Sequence, residues 1–338
     1  MSFRFWRRIR LAPGVTLNLS KSTASLSFGP RGAKYTISPR GNRVTAGLPG
    51  TGLFYTMQTG RGAGRAPSVR ARDRLDLGFS RRLVTPVEER ALVDGLRALQ
   101  QGDEEAALSA LMRGAALPDA AWMAGMIHLR RNALDEARHH LTLALQAKDR
   151  LGTHFAKYGI AAHAHFTVTP EIDAHALPRE CGTRLALAEI AQIQGDEALA
   201  LSHLEQVLRL APDDPVALLS LVELTHEGDQ DQLRRIAALT AGTMNETPVD
   251  AAILLYRARA LAGLGLAQGA IDALTLGLRR RKDRPAALLH RLRHDRALLY
   301  RQTGRKAQAI REFERLAAEQ PEDPQIRATL ASEGIALL

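Results

Sequence analysis

The sequence predicts an α+β multidomain protein, with a small antiparallel β-meander domain at residues 1–58 followed by an all-α superhelix of repeated helical hairpins at residues 86–338. Three observations lead to this prediction. Apolar and polar residues alternate before residue 58. After residue 86, similar amphipathic segments recur about every 34 residues. Basic residues are concentrated at one end, because the first 85 residues hold 16 Lys/Arg and two acids, whereas the remainder holds 30 Lys/Arg and 34 Asp/Glu.

The alternating region predicts about six short strands. Val15, Leu17 and Leu19, for example, alternate with polar residues. Turn sequences rich in Gly and Pro separate the strands at residues 29–32, 39–42 and 49–52. A sheet of this size with one apolar face is marginally stable alone, so we expect it to roll up, dimerise or pack on another surface.

The polar face of this predicted sheet is basic, because residues 1–58 contain no acid. One interpretation is an anion surface that binds nucleic-acid phosphates, with an aromatic ring for stacking. The other is a solvated face whose charges protect the sheet edges from aggregation. The residues of the predicted anion surface are Arg4, Trp6, Arg8, Arg10, Lys34 and Arg43.

Specific motifs accompany this pattern. They occur in the order Phe3-Arg4-Phe5, Leu17-Asn18-Leu19-Ser20-Lys21-Ser22 and Pro49-Gly50-Thr51-Gly52-Leu53. Together they resemble a small bacterial and phage-associated domain known as domain of unknown function 4236, over roughly residues 1–57. The resemblance implies a β domain and supplies no chemistry.

Residues 59–85 contain Gly, Ala, Arg and Pro without hydrophobic periodicity. This composition predicts a flexible basic linker between the two halves of the chain.

The helical half repeats a loop that is followed, in five of six copies, by Ala five residues later. The loops contain Gly102, Asn132, Gly195, Gly228, Gly265 and Gly304. Gly ends one helix and a following Asp caps the next. Small residues in the first helix of a hairpin allow close crossing, at Gly95, Gly125, Ala188, Ala258 and Ala297. This pattern resembles the tetratricopeptide repeat family over roughly residues 86–338.

The repeat spacing is broken once, by about thirty extra residues near 150–180. The sequence Phe166-Thr167-Val168-Thr169-Pro170 within it is not helical in character. We predict an inserted loop or an extra hairpin, and loops of this length are either functional or disordered.

The resemblance implies a binding groove lined by the first helix of each hairpin. The groove positions are Leu92, Leu96, Trp122, Met126, Arg130, Arg259, Arg291, His294 and Arg301. One interpretation is a peptide groove that is apolar at one end and cationic at the other. The alternative is that the apolar half is ordinary core or is covered by residues 150–180.

Candidate chemistry is sparse. The sequence has a single cysteine, Cys181, and no nucleophile-elbow, zinc-protease or phosphate-loop motif. Several histidines lie between residues 139 and 175, but without an established ligand spacing. We therefore expect no enzyme activity, metal or cofactor. Without an apolar run typical of a signal peptide or a membrane span, we expect a cytoplasmic protein.

The leading hypothesis is a non-enzymatic scaffold for protein–protein interaction, in which the repeats bind a peptide or protein and the β domain docks or localises the complex. A second hypothesis is nucleic-acid association through the basic first 85 residues. A third is a structural protein that self-associates through its one-sided sheet. The feature that distinguishes the second hypothesis is the excess of Lys/Arg in the first 85 residues. If these residues bind phosphates, binding should weaken steeply as the salt concentration rises.

Overall fold

The computed structural model describes most of the helical half and several strands before it. The residues described are 15–20, 23–28, 33–38, 41–47, 54–59, 75, 77, 79–162, 164–169, 171–282, 284–319, 327 and 330.

Among the described residues, five strands precede the helices. They are β1 (Val15–Ser20), β2 (Thr23–Phe28), β3 (Ala33–Ser38), β4 (Gly41–Gly47) and β5 (Phe54–Thr59). β1 pairs antiparallel with β2, and β3, β4 and β5 form a second antiparallel sheet in that order. The strands lie within the alternating region of the sequence. The limits of the predicted β domain and linker stay predictions.

In the part of the chain that the structure describes, twelve longer helices form six consecutive hairpins. After the short helix α1 (Phe79–Val84) they are α2 (Val87–Gln101) and α3 (Glu104–Arg113), α4 (Pro118–Arg130) and α5 (Leu134–Gln146), α7 (Glu180–Gln194) and α8 (Glu197–Leu210), α9 (Pro215–Thr225) and α10 (Gln230–Leu239), α11 (Pro248–Gly263) and α12 (Ala267–Leu278), and α13 (Ala286–Gln302) and α14 (Lys306–Glu319). Among the helices in the described part of the chain, none is both long and apolar enough to cross a bilayer.

The break in spacing holds an inserted element between α5 and α7. It comprises a 3₁₀ turn (Lys148–Arg150), the short helix α6 (Thr153–Lys157), and strands β6 (Ile160–Ala161), β7 (Ala164–Thr169) and β8 (Ile172–Ala176). β6 adds to β2 in parallel, and β7 pairs with β8 as a two-stranded sheet. The non-helical character of residues 166–169 is confirmed, since they lie in β7, and residue 170 lies outside the described residues.

The turns inside the hairpins use the predicted residues. Gly102 and Gly195 adopt left-handed conformations, with φ of 83° and 81°. The next residue then caps the following helix, because the Asp103 side chain accepts from Ala106 N and the Asp196 side chain accepts from Leu199 N. Asn132 occupies the equivalent turn between α4 and α5. Although it is not a glycine, it also has a positive φ, of 59°. Local turn chemistry thus sets the ends of α2, α4 and α7.

Small residues bring the helices of the first two hairpins into close contact. A Cβ built on Gly95 would lie 2.7 Å from Cγ of Leu111, and one built on Gly125 would lie 2.7 Å from Cγ of Leu141. Real Cβ atoms are not found at such distances, so a larger residue would push the helices of each pair apart. The predicted crossing positions are confirmed for these two hairpins.

The chain divides into two compact units. Unit 1 comprises residues up to Thr167 together with Asp173–Pro212, and unit 2 comprises Val168–Ile172 together with residues from Asp213 onward. Unit 1 contains a buried apolar cluster in which α2 and α4 meet residues of the inserted element. In unit 2, α11 is buried along most of its length between neighbouring helices.

Candidate functional site

The four predicted apolar groove residues lie in unit 1 and are all buried. Leu92 and Leu96 project from α2, and Trp122 and Met126 project from α4. Each is at most 2% exposed. We call these four residues the filled face, because other parts of the chain cover them.

Residues 148–162, hereafter the inserted segment, pack against the filled face. Phe155 of α6 meets Trp122 edge to face, with ring centroids 6.1 Å apart. Tyr158 and Ile160 belong to the same buried cluster. The four residues therefore belong to the buried core of unit 1, and the inserted segment contacts that core at Trp122.

Two buried carboxylates fix the inserted segment in place. Asp119, at the start of α4, accepts backbone hydrogen bonds from Gly152 N and, at 2.7 Å, from Phe155 N. Glu89 of α2 accepts from the Tyr158 hydroxyl at 2.6 Å and forms an ion pair with Lys157. The contacts are between residues distant in sequence, so the segment is positioned by tertiary interactions.

The pKa values of the two carboxylates shift in opposite directions. Burial raises the pKa of Asp119, and the hydrogen bonds from Phe155 and Gly152 only partly offset it. Burial also opposes ionisation of Glu89, but the hydrogen bonds from Lys157 and Tyr158 outweigh it and lower the pKa of Glu89. Glu89 therefore remains a carboxylate well into the acidic range.

Apart from Arg130, the predicted cationic groove residues lie in unit 2, on α11 and α13, where they keep part of their surface accessible. We call the charged face the set of residues that cluster here, namely His226, Tyr256, Arg259, Arg291, His294 and Asp295. Three of them, Arg259, Arg291 and His294, are 28%, 31% and 27% exposed in their side chains. Unlike the filled face, this surface carries polar groups that solvent reaches.

Tyr256 forms the base of the charged face. It is 2% exposed, and its ring meets that of His226 edge to face at 4.9 Å. The Arg259 guanidinium lies 5.6 Å from the centre of the same ring, which allows a cation–π contact. Burial, with the charge of Glu223 in addition, raises the pKa of the Tyr256 phenol, so this hydroxyl stays protonated.

Asp295 joins two helices of the charged face. Nε of Arg259 donates to Oδ2 of Asp295 at 2.8 Å, and Nδ1 of His294 lies 3.5 Å from Oδ1. Burial opposes ionisation of Asp295, but the His294 hydrogen bond and the Arg259 charge outweigh it and lower the pKa of Asp295. The carboxylate thus neutralises Arg259, one of the two arginines of the charged face.

Arg291 has a different partner, which comes from outside the hairpins. Its Nη1 donates to Oε1 of Glu171 at 2.7 Å, and the Glu171 side chain is 5% exposed. Glu171 lies in the turn between β7 and β8, within the short segment 168–172 of unit 2. Burial works against the charge of Arg291, but the hydrogen bond with Glu171 outweighs it and raises the pKa of Arg291.

His226 completes the charged face at the end of α9. Its Nδ1 donates to the backbone carbonyl of Glu223 at 2.7 Å. Burial lowers the pKa of His226, and the nearby charges of Arg259 and Arg291 act in the same direction. The imidazole is therefore a neutral, half-buried ring at neutral pH.

The remaining predicted residues lie elsewhere. Arg130 forms an ion pair with Glu104 in unit 1, and Arg301 is exposed near the end of α13. Of the predicted anion surface, Arg4, Trp6, Arg8 and Arg10 lie outside the described residues. For Lys34 and Arg43 the structure gives the backbone position, in β3 and β4.

Metal-ligand types do not come together in the part of the chain that the structure describes, since no group of three His, Cys, Asp or Glu side chains there could hold an ion. His140 instead stacks on His128, with ring centroids 5.4 Å apart. Burial lowers the pKa of both rings. His163 lies outside the described residues.

The sequence did not identify Tyr256, His226 and Asp295 as site residues. Two of them carried a usable signal. Tyr256 and Asp295 lie on the first helices, three and four residues from Arg259 and Arg291 respectively, and such spacings share a helix face. His226 lies beyond the end of its helix, so no helical spacing pointed to it.

Comparison with protein families gives a match at the start of the chain. Residues 3–56 match the family described as "Protein of unknown function (DUF4236)". No curated protein matches the chain.

Several solved structures are similar to the helical part. The N-terminal domain of the EccA1 ATPase from the ESX-1 secretion system of Mycobacterium tuberculosis is 16% identical, with a TM-score of 0.48, over 72% of this chain and 88% of that one. A tetratricopeptide repeat protein from Parabacteroides merdae is 15% identical, with a TM-score of 0.33, over 72% of this chain and 98% of that one. A thermophilic tetratricopeptide repeat protein from Thermus thermophilus is 18% identical, with a TM-score of 0.23, over 72% and 97% of the two chains.

The family match and the six helical hairpins agree with the two resemblances in the sequence. The chain combines a DUF4236 region at residues 3–56 with a tetratricopeptide-like helical repeat region.

Proposed function

We propose that the protein is a non-enzymatic scaffold for protein–protein interaction, and that the charged face of unit 2 binds a segment of a partner protein. Tetratricopeptide-like repeats are typically protein-interaction modules, because stacked hairpins present a continuous surface along their first helices. The observation that carries the proposal is the contrast between the filled face, which the chain itself covers, and the charged face, where Arg259, Arg291 and His294 keep part of their surface accessible.

The energetics of the filled face support this location. A partner that used it would have to expel Phe155, Tyr158 and Ile160, each of which is buried. Exposing one such side chain costs about 1.5–3 kcal/mol, so expulsion would consume much of the free energy of an ordinary interaction. The charged face requires no such rearrangement of apolar core.

The chemistry of the charged face supports recognition over catalysis. Arg259 and Arg291 are held in ion pairs, and Tyr256 has a raised pKa that keeps its phenol neutral and unsuited to act as a base. A buried aromatic base with charged groups around it is typical of the residues that dominate protein interfaces.

The strands of residues 15–59 complete the proposed scaffold. We assign them the role of docking or localising the complex, in keeping with the basic composition of residues 1–58. Under this proposal any association with nucleic acid is secondary, so nuclease treatment leaves the main partner bound.

The test is site-specific photo-crosslinking with the full chain in a lysate of the source organism. The crosslinking amino acid replaces Arg301, which is exposed on α13 seven residues after His294, or, as the control, Met112, which is exposed on α3. We expect a protein that crosslinks from position 301 and not from 112, with or without nuclease. The partner is then purified, and its affinity should fall when Arg259 is replaced by Gln. Equal crosslinking at both positions, or crosslinking that nuclease abolishes, would contradict the proposal.

A further inference from the structure

Glu171 contacts Arg291 of the charged face from a segment that is distant in sequence from the helices of that face. It lies in the turn between β7 and β8, and α13, which carries Arg291, begins more than a hundred residues later. Oε1 of Glu171 accepts from Arg291, while Oε2 accepts from the Thr169 hydroxyl at 3.0 Å. Both carboxylate oxygens therefore have donors in a site with little solvent.

The second ion pair of the charged face is built differently. Arg259 and Asp295 both project from first helices, α11 and α13, so their pairing is part of the repeat framework. Glu171 is supplied by a short turn and reaches Arg291 from outside that framework. Of the two carboxylates, Glu171 is the one whose departure would move a short turn and no repeat helix.

We propose that Glu171 is an internal competitor, and that the partner bound by the charged face presents an acidic side chain which replaces Glu171 on Arg291. This inference rests on the proposed function and adds to it the charge of the partner and a means of regulation. The partner chemistry follows from complementarity, because the guanidinium that already accommodates one carboxylate is the group that an acidic segment would meet.

The exchange is energetically reasonable. The attraction within a partly buried ion pair is largely offset by the cost of removing both charges from water. Replacing one carboxylate by another therefore changes the free energy little, provided that Glu171 returns to water. The Arg291 side chain is 31% exposed, which gives an incoming carboxylate access to it.

The internal competitor lowers the apparent affinity for every acidic partner. The binding-competent form is the fraction in which Glu171 has left Arg291, and the apparent dissociation constant rises as that fraction falls. Removing the charge of Glu171 should therefore tighten binding of acidic segments and leave neutral segments unaffected.

The test uses the full chain and fluorescence anisotropy with two labelled twelve-residue peptides, one of alternating Glu and Ala and one with Gln in place of Glu. The variants are Glu171→Gln, Glu171→Gln with Arg291→Gln, and the control Glu314→Gln, which alters an exposed acid on α14. The double variant avoids leaving an unpaired charge in the site.

We expect Glu171→Gln to bind the acidic peptide about fivefold or more tightly than the wild type. The control should not change, the double variant should lose the gain, and the Gln peptide should bind all four proteins alike. Binding of the acidic peptide to Glu171→Gln that is no tighter than to the wild type overturns the inference. If a partner nevertheless crosslinks from position 301, the proposed function stands without it, whereas absence of that crosslink counts against the proposed function itself.

Discussion

The filled face of unit 1 and the charged face of unit 2 arise from the same structural element, the first helix of a hairpin, and yet they differ in composition and accessibility. Leu92, Leu96, Trp122 and Met126 are buried in the apolar core of unit 1, which includes residues of the inserted segment. The charged face holds Arg259 and Arg291 in ion pairs and remains partly accessible.

The difference shows how a repeat array assigns separate roles to equivalent positions. An exposed apolar strip would invite nonspecific association, and covering it converts the strip into folding free energy. Paired charges around a buried aromatic ring contribute less to folding, because desolvation offsets their attraction. We therefore expect substitutions in the filled face to affect stability and those in the charged face to affect binding.

The largest effect is expected from Trp122→Ala. This change removes a fully buried ring and its contact with Phe155, and should lower the free energy of unfolding by about 3–5 kcal/mol. Urea unfolding gives the total loss, and hydrogen exchange should show faster exchange in α4 and α6. Arg259→Gln is the counterpart in unit 2, and we expect a smaller loss, of about 1–3 kcal/mol, because Asp295 keeps its contact with His294. Comparable losses for both would remove the distinction between the faces.

Asp119→Asn should have the next largest effect. The carboxylate accepts from two backbone N–H groups, one at each oxygen, and the amide of Asn would turn a donor toward one of them. A buried N–H left without an acceptor costs about 1–3 kcal/mol. We expect this loss in thermal or urea unfolding, with increased exchange confined to residues 152–157. Unchanged exchange there would mean that Asp119 does not hold the inserted segment.

The crossing glycines allow a paired test of packing. Gly125→Ala should destabilise by about 1 kcal/mol, because the clash with Leu141 outweighs the gain in helix propensity. Gly269→Ala in α12 is the control, since its Cβ would lie 3.5 Å from the nearest atom, on Leu261, and should stabilise by up to about 1 kcal/mol. Changes of the same sign in both unfolding experiments would contradict the close-crossing explanation.

The smallest effect concerns acid stability. Glu89 has a lowered pKa in the folded protein, so the unfolded chain binds more protons below the ordinary value of 4.5. Its contribution should be complete above that pH and decline as the pH falls through the lower, folded value. Glu89→Gln should therefore cost less than about 1 kcal/mol at neutral pH and nothing in strong acid. A difference from wild type that does not vary with pH in unfolding curves would exclude this role.

The local parts of the fold could be predicted from the sequence. The turns at Gly102 and Gly195 require a left-handed residue, and the Asp that follows each Gly caps the next helix. In these two hairpins the sequence therefore marks where the first helix ends and the second begins. The crossing at Gly125 also follows from a local pattern of helix faces. Such features depend on residues within a few positions of each other. Patterns of this length can be detected in the sequence.

The occupants of the two faces could not be predicted in the same way. Phe155 N bonds to Asp119 from 36 residues away, and Glu171 reaches Arg291 from 120 residues away. The sequence marked the insertion by its broken spacing, and its pattern could not say which part of it covers which surface. The sequence predicted that Arg259 and Arg291 make one end of the groove cationic. It did not predict that each of them pairs with an acidic residue.

The central claim is that the charged face, and not the filled face, binds the partner. The most direct measurement is hydrogen exchange by mass spectrometry on the full chain, with and without the purified partner that crosslinks from position 301. We predict slower exchange on binding at the surface formed by residues 248–263 and 286–302, and no change in residues 118–130. Protection of residues 118–130, together with faster exchange in 148–162, would contradict the account by placing the partner where the inserted segment lies.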